Sequence, residues 1–133
     1  MQLKSEITTI HADEKIFLFN DGFQTSYSDD ADIIFVKGDV LPDNTNSIQP
    51  RDLMSSRAVL AHEYYGHRAN RNTPLRRGSW NDEFRASYSA AVNAPNLSSD
   101  DRRCLMLDAY ERAKEGGQIL KYNQKAREII YGR

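Results

Sequence analysis

Two of the chain's three histidines stand in the run His62-Glu63-Tyr64-Tyr65-Gly66-His67, and a glutamate follows the first of them directly. Neutral imidazoles and carboxylates are preferred ligands of zinc, and a carboxylate beside the ion can serve as a general base. Shuffling three histidines and seven glutamates through 133 positions gives His-Glu-x-x-x-His in roughly a few sequences per thousand, so the run carries information. Cys104 is the only cysteine, which excludes an intrachain disulfide and a cysteine-built zinc knuckle. A metal in this chain must be held by histidine and carboxylate.

The spacing sets a geometric condition. Histidines at i and i+4 lie about 40° apart around a helix and reach one ion, whereas His62 and His67, at i and i+5, lie about 140° apart on a regular helix. A π-type bulge absorbs one extra residue, and such bulges occur frequently at functional sites. Gly66, just before the second histidine, is the residue that most readily permits a distorted backbone. The run therefore predicts a helix distorted at Gly66.

His62-Glu63-Tyr64-Tyr65-Gly66-His67 resembles the His-Glu-x-x-Gly-His motif of the dipeptidyl peptidase III family, zinc peptidases that carry the extra residue. That family's second motif, Glu-Glu-Cys-Arg-Ala followed by an acid, is similar to Asp82-Glu83-Phe84-Arg85-Ala86-Ser87, with Ser87 in place of the final acid. The resemblance implies His62 and His67 as zinc ligands, Glu83 as third ligand and Glu63 as catalytic base. The small size also resembles the compact zincin-like domains that end bacterial polymorphic toxins. Helix geometry separately favours Glu83 over Asp82. Adjacent helical residues point about 100° apart, and Glu83 shares the side of Trp80, Phe84 and Ser87, leaving Asp82 to serve the helix N-terminus. The implied activity is zinc-dependent hydrolysis of a peptide or protein substrate. Tyr64, Tyr65, Tyr88 and Arg85 are the candidate donors to a developing oxyanion, at least three of them expected to be packing residues.

These side chains need elements to position them. Glu6 to His11, Lys15 to Phe19 and Asp32 to Lys37 read as strands, with Asn20-Asp21-Gly22 as a turn, giving a small antiparallel sheet. In a zincin arrangement the Asp32 to Lys37 strand would be the edge that receives an extended substrate. Val40 to Pro50 reads as a loop. A first helix runs from Pro50 or Asp52 to about Asn70, and a second opens at the cap Ser79 and stops before Pro95. A third runs from Ser98 or Ser99 to Gly116-Gly117, and Ile119, Tyr122, Ala126, Ile129 and Ile130 mark a fourth. The expected fold is a single α+β, zincin-like domain over 1–133, mainly strands in 1–40 and mainly helices in 51–133.

At 133 residues, 39% hydrophobic and 28% charged, the chain is the size of one globular domain. It has neither an apolar run of bilayer length nor an apolar stretch of signal type in Met1 to Ala12. The expectation is a cytoplasmic protein or a domain of a larger secreted polypeptide, without a membrane partner. Residues 1–50 hold nine acids against three bases, and residues 51–77 hold six arginines against two acids. A nucleic-acid partner is not expected. The alternatives are a non-catalytic, zinc-stapled binding module using the Arg51 to Arg77 patch, or a metal-dependent toxin acting on another substrate.

Overall fold

The computed structural model describes residues 2–20, 22, 24–38 and 49–132. They form an α+β fold in which a three-stranded sheet near the N-terminus is followed by five helices.

The chain opens with a helix, α1 (Gln2–Thr9), where a strand was expected for Glu6 to His11. Leu3, Ile7 and Ile10 are all buried, a helical spacing that outweighs the β-branched composition of this stretch. Thr8 and Thr9 donate their hydroxyls to the carbonyls of Lys4 and Ser5 at 3.1 and 2.9 Å, a back-bond by which a helix accommodates threonine. His11, with φ at 56°, turns the chain out of this segment.

A short 3-10 turn over Glu14–Ile16 leads into β1 (Phe17–Phe19). The other strands are β2 (Ser26–Ser28) and β3 (Ile33–Val36). Their order is β1-β3-β2, with β1 parallel and β2 antiparallel to β3. The sheet is mixed rather than antiparallel, because β1 and β3 are joined through β2 on the far edge. Ser26-Tyr27-Ser28 lacks an apolar run and so escaped detection as a strand. Of the expected turn, Asp21 lies outside the described residues; Gly22 takes φ of 123°, a region that favours glycine. Most of the expected loop from Val40 to Pro50 also lies outside them.

Two short helices, α2 (Pro50–Leu53) and α3 (Ser56–Ala61), replace the start of the long helix read from Pro50. The break falls at Ser55, whose hydroxyl caps α3 by accepting from the Ala58 amide at 3.1 Å. α3 continues directly into a π-helix over His62–Arg68. Ser79 caps α4 (Trp80–Asn93) and Ser98 caps α5 (Ser99–Glu115), as their sequences predict. α6 (Gln124–Tyr131) is shorter than expected because Asn123 caps it, leaving Ile119 outside and 91% exposed.

Ile7, Ile10, Ile34, Leu60, Leu105 and Met106 are the largest fully buried apolar side chains, and they join α1, the sheet, α3 and α5 in one core. Alanines line the helix contacts around them, including Ala86, Ala90 and Ala91 of α4 and Ala109 and Ala113 of α5. Small side chains let these backbones approach closely, and this brings the π-helix against α4. No helix among the described residues is long and apolar enough to cross a membrane.

Candidate metal centre

The π-helix supplies the distortion that the histidine spacing requires. Its hydrogen bonds run from i to i+5, as from the Ala69 amide to the Tyr64 carbonyl at 3.2 Å, and this stacks residues five apart. The rings of His62 and His67 consequently meet edge to face, with centroids 4.8 Å apart. Gly66 contributes in a different way from that expected. It does not take a positive φ; its missing side chain is what matters, since a Cβ there would sit 2.4 Å from the Ala86 carbonyl oxygen of α4.

That close approach delivers α4's carboxylates to the histidines. Glu83 lies 2.8 Å from His67 Nε2 through Oε1 and 3.5 Å from His62 Nε2 through Oε2. Both imidazoles thus present Nε2 to one carboxylate. Glu63 is 5% exposed, and ligand atoms of His62, Glu63 and His67 all lie within 4.8 Å of one another. The same holds for His67, Asp82 and Glu83.

Asp82 does more than serve the start of α4. It accepts from the Gly78 amide at 2.9 Å, and the same oxygen lies 3.6 Å from His67 Nδ1. Glu83 and Asp82 therefore stand at opposite nitrogens of one ring. Two adjacent helical residues can do this because the two imidazole nitrogens point in different directions. Sequence reasoning, which chose between the two acids, missed that a ring uses both.

The back of His62 is held differently. Its Nδ1 lies 2.8 Å from the Ser87 hydroxyl, which donates to Asp108 Oδ2 at 2.6 Å. Arg112 donates from Nε to Asp108 Oδ1 at 3.1 Å and from Nη1 to Glu83 Oε2 at 3.2 Å. Asp108 and Arg112 were not identified from the sequence. One signal was available: Asp108 interrupts the apolar stripe of Leu105, Ala109 and Ala113 on α5, and it is fully buried.

The outer side of the π-helix is tied to the first part of the chain. Tyr65 donates its hydroxyl to the Ile10 carbonyl at 2.6 Å, and Tyr64 stacks on Phe17 and accepts from the Asp13 amide. Arg68 forms a bidentate pair with Asp32 at 2.9 and 3.1 Å. The Tyr88 hydroxyl accepts from Asn123. Three of the four candidate oxyanion donors are thus committed to packing or anchoring. The expected substrate edge is also corrected: β3 is the central strand, hydrogen-bonded on both sides, so a substrate strand cannot add to it.

No protein-family model, curated protein or solved structure matches the chain.

The reading of this centre therefore rests on its own geometry. The arginine-rich segment illustrates the difference that geometry makes. Arg51 pairs with Glu115, Arg57 with Glu6, Arg68 with Asp32 and Arg77 with Asp29. Four of the six arginines between residues 51 and 77 are therefore matched to acids, three of these in the acidic first half of the chain.

The electrostatics of the cluster have a measurable consequence. Burial lowers the pKa of His67, but hydrogen bonds to Asp82 and Glu83 outweigh it and raise the value to about 10. Burial likewise opposes ionisation of Glu83, yet His62 and His67 hold its pKa well below the carboxylate range, and His67 and the Gly78 amide do the same for Asp82. A raised His67 pKa stabilises the fold below the unfolded value of about 6.5, and this contribution is lost as pH rises toward 10. Depressed carboxylate pKa values stabilise it above about 4.5, a contribution lost as pH falls. Urea unfolding in chelator should show a stability maximum between about pH 4.5 and 6.5, with a decline of up to about 1.4 kcal/mol per pH unit above it. A flat profile from pH 6 to 9 would contradict the His67 geometry.

Proposed function

We infer that the chain is a zinc-dependent hydrolase of peptides, with His62, His67 and Glu83 as ligands and Glu63 as base. The observation that carries this reading is the convergence of two Nε2 atoms on the Glu83 carboxylate, achieved only because the backbone between them is a π-helix. An ordinary surface salt bridge does not need a distorted helix.

The donor types support a divalent ion. Glu63, Asp82, Glu83 and Asp108 place four carboxylates in and behind the cluster, with Arg112 between two of them and Arg77 3.7 Å from Asp82. Buried carboxylates gathered beside imidazoles are a setting that coordinates metal. Two neutral imidazoles and one carboxylate form a donor set that suits zinc and leaves a position open. Bound there, zinc supplies Lewis-acid polarisation of a carbonyl group and of water.

The protein's own groups do the remaining work. Glu63, buried next to ligand His62, takes the proton of the attacking water and returns it to the leaving amine. Arg112 restrains Glu83 through its 3.2 Å hydrogen bond. Asp82 orients His67 from behind, as carboxylates commonly do for metal-bound histidine.

Elemental analysis of protein purified without chelator should find one zinc per chain. His62→Ala, His67→Ala and Glu83→Ala should each lose it while retaining helical circular dichroism. A wild-type level of zinc in His67→Ala would remove that residue from the ligand set. Chelator should abolish cleavage of an unstructured protein such as casein, and added zinc should restore it.

A further inference from the structure

We propose that Asp108 and Ser87 form a positioning relay that locks His62 as the Nδ1–H tautomer, so that its Nε2 lone pair faces Glu83. The proposal rests on the metal reading above for its purpose, though not for its geometry.

The relay follows from counting protons. Asp108 accepts at both oxygens, from Ser87 at 2.6 Å and from Arg112 Nε at 3.1 Å. A serine hydroxyl has one hydrogen, and here it is spent on Asp108. The Ser87 oxygen can then only accept from His62 Nδ1 at 2.8 Å, which puts a proton on Nδ1 and, in the neutral ring, makes Nε2 the lone-pair nitrogen. Ser87 and Asp108 are both fully buried, so water does not compete for these bonds. The acid that receives the Ser87 proton comes from α5, 21 positions further along the chain. Arg112 links the unit to Glu83 through its second bond, coupling the support of one ligand to the position of another.

The relay is directional, and an isosteric change reverses it. In Asp108→Asn, the amide oxygen is drawn to the Arg112 donor, so the amide nitrogen faces Ser87. The serine must then accept from Asn and donate to His62 Nδ1, which moves the ring proton to Nε2 and blocks that atom as a ligand. The shape of the site is unchanged.

The test uses long-range proton–nitrogen correlation spectra of histidine-labelled, chelator-treated protein, which distinguish the two neutral tautomers from each other and from the doubly protonated ring. His62 should be protonated at Nδ1 in the wild type and at Nε2 in Asp108→Asn. Zinc titration should show affinity weakened by roughly 10- to 100-fold in Asp108→Asn and in Ser87→Ala. Ile7→Ala, which opens a cavity on α1, an element that carries no member of the relay, should lower thermal stability and leave both readouts at wild-type values. An Asp108→Asn protein with His62 still protonated at Nδ1 and zinc affinity within about twofold of wild type would overturn the relay. If the wild type binds no zinc, the hydrolase reading fails, while the tautomers of His62 still decide the relay.

Discussion

Glu63→Gln should retain a full complement of zinc and lose peptide hydrolysis by roughly 10²- to 10⁴-fold, the usual contribution of a general base. The substitution is isosteric at a buried position, so neither packing nor backbone need change. Its outcome separates two roles that the distances leave adjacent. Ligand atoms of Glu63 and of both histidines fall within one 4.8 Å group, as do those of His67, Asp82 and Glu83. A base can be amidated without loss of metal, whereas an anionic ligand cannot. Zinc lost from Glu63→Gln and kept in Glu83→Gln would exchange the roles of the two glutamates. Zinc kept with undiminished hydrolysis would remove Glu63 from the mechanism and favour the non-catalytic, zinc-stapled module.

The second large effect is expected at a residue that touches no metal. Gly66→Ala should destabilise the fold by about 3 kcal/mol and reduce zinc content sharply. The added methyl would meet the Ala86 carbonyl oxygen at 2.4 Å and its carbonyl carbon and Cα at 2.8 Å. These are backbone atoms of α4, which cannot rotate away, so the helices must separate. Separation carries Glu83 and Asp82 away from His67, because both acids ride on α4 while the histidines ride on the π-helix. In an ordinary α-helix, glycine to alanine is stabilising by up to about 1 kcal/mol. The sign of the change in urea midpoint thus distinguishes a packing role for Gly66 from a merely flexible one. A stabilised Gly66→Ala with intact zinc would contradict the close approach.

How far these residues were legible in the sequence depended on the range of the interaction involved. Spacing within one helix is a local property. His62 and His67 at i and i+5 therefore announced a distortion, and the caps at Ser79 and Ser98 announced the starts of α4 and α5. α1 was misread because Ile and Thr composition was weighed above the spacing of Leu3, Ile7 and Ile10, which three buried side chains make decisive. The strand order was not legible, since pairing of β1 with β3 depends on which edges meet in space.

The sequence by itself determined the inventory of the centre: two histidines, a glutamate beside the first, and a second acid pair one helix further on. It determined the helical frame as well, because capping and apolar period act over a few residues. Only the tertiary structure decided how those groups are used. Asp108 reaches His62 through Ser87, Asp82 backs His67, and the arginines that look like a basic patch are matched to Glu6, Asp29, Asp32 and Glu115. Each of these bonds joins residues at least 15 positions apart. Burial and charge pairing at that separation depend on how closely α4 approaches its neighbours, and a missing side chain at Gly66 sets that approach against the π-helix.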